Sequence, residues 1–211
     1  MQRDRIQAIA RYNEKIAEKR FKKMGYSVRW LDHQGSRKRP EFLVTEPSGN
    51  LLVCEVKSLF SGGYLRDRSA HVSTMDPALL NTGVFSWDID LGPMKADLSD
   101  AVAKYKQLVA DEPEFEGLPL LVVFFFDEFA DNFDFFPSKM DEHPEVSGIA
   151  VVERDAAIAS IVDKMPLEEL ESVAKSGSMK GFPPNSKELR LVLNEVALNP
   201  LPEHFVESCL S

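Results

Sequence analysis

Cysteine is scarce in this chain of 211 residues: there are two, Cys54 and Cys209. Neither has a C-x-x-C partner, so a disulfide framework and a cysteine zinc site are excluded, and both read as reduced thiols. Histidine is scarce too. His33, His71, His143 and His204 are scattered without ligand spacing and read as surface or core residues, with His71 alone retained as one that could face a cleft. Long apolar runs are missing. The longest, Leu118–Phe126, contains Pro119 and is far shorter than the ~20 residues of a spanning helix. No apolar stretch follows Met1-Gln2-Arg3-Asp4-Arg5, so no secretory signal is expected. There is no internal repeat and no low-complexity segment. Together these absences predict a cytoplasmic chain with no membrane partner.

An overall positive charge is lacking as well, since the net charge is −9. The distribution is less discouraging for nucleic acid. Residues 1–40 hold 12 Lys and Arg against 4 Asp and Glu, whereas the remaining 171 hold 13 against 30. Affinity for nucleic acid follows a local basic face and not the global sum. A solvated lysine-rich helix explains the same pattern equally well. With 44% hydrophobic and 28% charged residues the chain has the composition of an ordinary globular protein.

Periodicity divides the chain into elements. Residues 2–24 read as an amphipathic helix with Ile6, Ala10, Ala17, Phe21 and Met24 on one stripe, ended by Gly25 in the left-handed C′ position. Ser27–Leu31 is a first strand. Phe42–Thr45 and Leu51–Val56 form a hairpin around Glu46–Asn50. Residues 59–96 have no clean period and read as an irregular insertion or cleft segment. Asp97–Ala110 is a second helix, capped by Asp97 or Ser99, with Leu98, Ala101, Val102, Tyr105, Leu108 and Val109 on its apolar face. Leu118–Phe126 is a fully buried strand. Residues 127–145 are acidic and carry Phe133, Phe135 and Phe136, a plain loop or an exposed docking surface. A strand at Ile149–Glu153, helices at Asp155–Lys164 and Leu167–Lys175, a loop at 177–186, a strand at Leu189–Val196 and a proline-containing tail from Asn199 complete the order. The fold class is therefore α/β or α+β with a mixed sheet.

The hairpin carries charge where apolar residues are expected. Glu55 and Lys57 are two apart on a strand and share a face. Glu41 joins them only if it opposes Glu55, because opposed hairpin residues point to the same side. That register leaves Glu46–Asn50 as a five-residue loop, which Pro47 and Gly49 suit; a four-residue loop would turn Glu41 to the other face. Two carboxylates and a lysine at a strand end are the parts of a Mg2+-dependent phosphodiester hydrolase. Mg2+ takes hard oxygen ligands, usually one or two carboxylates with water and substrate phosphate. The lysine can orient or deprotonate the attacking water, or stabilise the phosphoryl oxygens.

Pro40-Glu41, a 13-residue spacer and Glu55-Val56-Lys57 resemble the signature of the PD-(D/E)XK nuclease superfamily. On the first helix Glu14, Ala17, Phe21 and Gly25-Tyr26 resemble the superfamily's E-x-x-A-x-x-x-apolar-x-x-x-G-Y pattern, and Glu14 fits it better than Glu18. The resemblance implies a restriction-endonuclease-like core of helix, three strands, helix and strand over residues 1–126, with 127–211 as a C-terminal α/β extension packed on the same domain. It implies that Glu41, Glu55 and the Val56 carbonyl bind Mg2+, with Mn2+ able to substitute. Lys57 would act on the water, and Glu14 would bind a second metal or support the first ligands. DNA is the expected substrate ahead of RNA, cut to leave 5′-phosphate and 3′-hydroxyl ends by a chain that could work as a homodimer. Arg37, Lys38, Arg39, Arg66, Arg68, Lys104 and Gln107 are candidates for contacting the nucleic acid. One departure stands out: the superfamily usually has aspartate where this chain has Glu41.

Rival readings remain. An E-x-K triplet arises about once by chance in a chain with 19 Glu and 14 Lys. Glu41 and Lys57 could be an exposed cross-strand ion pair, and Glu14 a solvated helix charge. A non-catalytic nucleic-acid-binding module of the same fold, or an interaction protein using the acidic C-terminal half, are the alternative functions.

Overall fold

The computed structural model describes residues 2–32, 39–59, 92–127, 140–154, 161–162, 164–176 and 189–210. Helix α1 runs Gln2–Lys23 and strand β1 Ser27–Trp30. Gly25, at φ +87°, closes α1 as expected: Tyr26 N–H donates to the Phe21 carbonyl at 3.0 Å and Gly25 N–H to that of Lys22 at 3.1 Å. This is the paired arrangement that uses up a helix's last carbonyls. Strands β2 (Phe42–Thr45) and β3 (Leu51–Leu59) follow, then helix α2 (Gly92–Asp111), strand β4 (Leu120–Asp127), strand β5 (Val146–Arg154), helix α3 (Leu167–Ser176), strand β6 (Leu189–Leu193) and helix α4 (Glu203–Leu210).

The strands form one six-stranded mixed sheet in the order β1-β2-β3-β4-β5-β6. β1, β2 and β3 are an antiparallel meander; β3, β4 and β5 are parallel; β6 returns antiparallel to β5. The parallel step from β3 to β4 includes α2, as a crossover requires. Strand β4 is buried from Leu120 to Phe125 on both faces, which is why its sequence is a continuous apolar run. One face packs Phe42, Val44, Leu52, Cys54, Val56, Leu121, Val123 and Phe125 with α1, α3 and α4. The other packs Leu43, Val53, Leu120, Val122 and Phe124 under α2.

Several expectations are corrected. α2 begins at Gly92, not Asp97, with Pro93 in the first turn where its missing N–H costs nothing. Asp97 and Ser99 are therefore interior, and neither caps the helix; the Ser99 hydroxyl donates to the Lys95 carbonyl at 2.9 Å. The proline-containing tail contains a helix, α4, whose Phe205 is fully buried against Phe21 and Tyr26 at 6.2 and 5.7 Å between ring centroids. An eight-residue helix is marginal alone, and this burial stabilises it. Ile6 is 45% exposed instead of lying on the stripe. The buried face of the first half of α1 is Ala8, Ile9, Tyr12 and Ile16, rotated toward α3, and Arg5 donates to the carbonyls of Val162 and Met165. β6 ends at Leu193, where Asn194 turns the chain by donating to the Val146 carbonyl at 2.7 Å. β3 and β5 are longer than their apolar cores suggest, and β4 starts at Leu120. Of the segment read as irregular, residues 60–91 lie outside the described residues and 92–96 are helical; 128–139, 155–160 and the loop at 177–186 also lie outside them.

Candidate active site

The β2–β3 register is the one the chemistry required. Phe42 pairs with Cys54 and Thr45 with Leu51, so Glu46–Asn50 is a five-residue loop. The loop is held by Glu46, whose buried carboxylate accepts from Asn50 Nδ2 at 2.8 Å and the Ser48 hydroxyl at 3.0 Å, and by Gly49 at φ +94°. Carried one residue past Phe42, this register sets Glu41 opposite Glu55; one further, it sets Pro40 opposite Val56. Val53 N–H donates to the Pro119 carbonyl, toward β4, so the even residues of β3 direct their backbone groups toward β2. Proline has no N–H, so Pro40 cannot complete the ladder with the Val56 carbonyl. The Val56 N–H is satisfied instead by the Glu41 carboxylate, at 2.6 Å to Oε2. The longer arm of glutamate thus folds back on the neighbouring strand.

Glu41 and Glu55 are buried on the α2 side, at 8% and 0% exposure. Their carboxyls share one ammonium, that of Lys104, and the Glu55 charge is felt at Glu41. Lys57, two residues on, places Nζ 2.7 Å from Glu55 Oε1 and 2.6 Å from Asp100 Oδ2. Lys104 places Nζ 2.5 Å from Glu55 Oε1, 3.5 Å from Glu41 Oε1 and 3.9 Å from Asp100 Oδ2. At 100° per residue, Asp97, Asp100 and Lys104 lie within about 60° of each other along α2, beside its apolar stripe. That charged stripe was the available signal for Asp100 and Asp97, which sequence reasoning missed as site residues.

The electrostatics follow from burial and crowding. Burial, and then the Glu55 charge, hold the Glu41 carboxyl well above the usual carboxylate range. Burial and the same Glu55 charge raise Glu14, which sits half-buried at the border and also feels Lys104 and Arg11. Burial raises Asp97, with Lys57 opposing and Asp100 adding to the rise. Burial pulls Lys57 and Lys104 down, but the carboxylates around them outweigh it, and both lie above the usual lysine value.

These residues fit a divalent cation. Glu55 Oε2 is buried with no hydrogen-bond donor on it, beside a second carboxyl. Two such groups side by side need a shared proton or a shared cation. Among the described residues no set of three His, Cys, Asp or Glu side chains is arranged to hold an ion. Mg2+ does not require one, since water and substrate phosphate complete its shell.

The other expected contacts fare differently. Arg39 is engaged with the end of α2, paired with Glu112 and, at 3.0 Å, with Asp111, so its charge is already compensated. Gln107 is exposed on α2 and donates to Asp111 at 2.9 Å. Lys104 belongs to the cluster and not to an outer phosphate-binding surface. Glu18 is held by Lys15 and Lys22 at 2.8 and 2.7 Å. Arg37, Lys38, Arg66, Arg68 and His71 lie outside the described residues. No family model, curated protein or solved structure matches this chain.

Proposed function

We propose that this chain is a metal-dependent endonuclease acting on DNA, built on a restriction-endonuclease-like core. The observation that carries the reading is the convergence of Glu41 and Glu55 at one strand end with the Lys57 ammonium 2.7 Å from Glu55. The order of α1, three antiparallel strands, α2 and a parallel β4 supports it. Glu41 and Glu55 would hold the cation, with the Val56 carbonyl beside them and Glu14 at the border. When bound, Mg2+ would supply an activated water and neutralise charge on the scissile phosphate. Lys57, an ammonium in this state, orients the attacking water and donates to the phosphoryl oxygens. Asp100 fixes the position of that ammonium. Arg11, Lys19 and Lys23 are exposed on α1 and offer positive charge to a nucleic-acid backbone.

One observation favours a second reading, a non-catalytic nucleic-acid-binding module: Lys104 already neutralises the two glutamates. A cleavage assay separates the two. Supercoiled plasmid and single-stranded DNA are incubated with Mg2+ or Mn2+ and either wild type or Lys57→Ala. Metal-dependent nicking that falls by about 100-fold or more in the variant supports the nuclease. Salt-sensitive binding without cleavage supports the module. Equal cleavage by both chains overturns the role of Lys57.

A further inference from the structure

Lys104 is an ammonium in the place where the two glutamates, by the reading above, take up a metal. Its Nζ is within 4 Å of three carboxylates that come from three different elements: Glu41 before β2, Glu55 on β3 and Asp100 on α2. Lys57 is placed otherwise. It bridges Glu55 and Asp100 from the strand itself, and no Lys57 contact with Glu41 accompanies these. An ion shared by Glu41 and Glu55 would compete with the Lys104 ammonium, which lies 2.5 Å from one carboxylate and 3.5 Å from the other, for the same pair of anions, and like charges a few ångströms apart repel strongly in a buried site.

We propose that Lys104 is the tethered counter-cation of the metal-free site, and that a divalent ion binds only as the Lys104 ammonium leaves it. The inference rests on the assignment of Glu41 and Glu55 as metal carboxylates. Two features make departure feasible. Lysine is a point charge on a flexible four-carbon stem, free of the bidentate geometry that would lock an arginine. The Lys104 side chain is 17% exposed, so water lies next to it, whereas Glu55 has no exposure at all. The lysine therefore moves and the carboxylate stays. The device also accounts for a buried carboxylate pair that remains electrostatically satisfied without metal, where two unpaired buried anions would be prohibitively costly. The apparent metal affinity is then reduced by the fraction of chains in which the lysine has left.

The test uses Mn2+ binding, followed through the spectrum of free Mn2+, together with thermal unfolding in a chelator. Wild type, Lys104→Met, Lys104→Gln and Lys57→Met are compared. The expected result is that both Lys104 variants bind Mn2+ about tenfold more tightly than wild type. They also unfold at lower temperature without metal and recover with it. Lys57→Met, which removes equal charge from the same Glu55 oxygen but not the ammonium shared with Glu41, gains less. Unchanged or weaker binding in the Lys104 variants, or an equal gain in Lys57→Met, overturns the proposal and leaves the metal site standing. Absence of Mn2+ binding in every chain overturns both. Should the variants fail to fold, reductive methylation of wild type decides: Lys104 is modified several-fold faster with saturating Mg2+ while Lys57 is not, and an unchanged Lys104 rate overturns the inference.

Discussion

Strands β2 and β3 present two faces that alternate residue by residue, and the two faces do different things. Under α1, the face is Phe42, Val44, Leu52, Cys54 and Val56, all apolar and buried. Under α2, the same strands begin with Leu43 and Val53 and end in Glu41, Glu55 and Lys57. The α1 face is held by the removal of apolar area from water, a non-directional effect that tolerates pH and salt. The α2 face is apolar only as far as Val53; beyond it, stability depends on each buried charge keeping its partner. The difference marks the α2 end as the candidate site, because buried charge is costly and packing alone does not call for it.

The comparison is broken most severely at Glu55. Glu55→Gln removes the anion shared by Lys57 and Lys104, and is expected to destabilise the metal-free protein by about 3–5 kcal/mol. Phe42→Ala on the opposite face is expected to cost a similar ~3–5 kcal/mol. Urea unfolding at several pH values and salt concentrations distinguishes the two. The Phe42 deficit stays constant, while the Glu55 deficit varies with both.

A smaller effect of opposite sign is expected at Glu41. Its folded pKa lies above the unfolded value, so between the two the folded state binds more protons and wild-type stability falls as pH rises. Glu41→Gln keeps an acceptor for the Val56 N–H and removes the repulsion with Glu55. The variant should be more stable than wild type above the ordinary carboxylate range and lose the falling limb. Chelator-treated protein unfolded in urea from pH 4 to pH 9, in roughly unit steps, measures this; parallel curves for the two proteins would mean that Glu41 is ionised throughout.

Smaller again is Glu18, on α1. Burial works against its charge, but hydrogen bonds from Lys15, Lys22 and Trp30 prevail and hold its carboxyl down at about 2. Its contribution is therefore present above the unfolded carboxylate value and lost as pH falls through 2. Glu18→Gln should flatten that acid limb by less than about 1 kcal/mol, because Lys22 is 54% exposed and solvent screens the pair. The smallest change belongs to Lys106→Ala, which breaks the pair with Glu145 on the rim of α2. Lys106 is 62% exposed, and a loss of under about 0.5 kcal/mol is expected, with Mn2+ binding unaltered.

Much of the architecture was legible because it is locally encoded. Continuous apolar runs and the turn residues between them place β2, β3 and their loop, and Gly25 ends α1 where its φ of +87° is needed. The helix starts were less legible. Asp97 resembles a cap but lies inside α2, since a serviceable start exists five residues earlier at Gly92-Pro93. α4 was not legible because eight residues carry too weak a pattern; Phe205 is ordered by Phe21 and Tyr26, about 180 residues away in sequence. Within the site, Glu41, Glu55 and Lys57 could be read together because one hairpin register aligns them. Asp100 could not be joined to them, because a charged stripe on a helix does not say that it meets a strand more than 40 residues upstream.

The amino-acid sequence alone thus determined the hairpin and its charged end, since two apolar runs flank a cluster of turn residues; which register they adopt was left to the structure, and the one found aligns Glu41 with Glu55. Tertiary structure decided how those charges are compensated. The rotation of α2 over the sheet brings Asp100 to Lys57 and Lys104 to the glutamates, and Coulomb attraction, falling off with distance through a poorly screening interior, is settled only when helix and strand are in place.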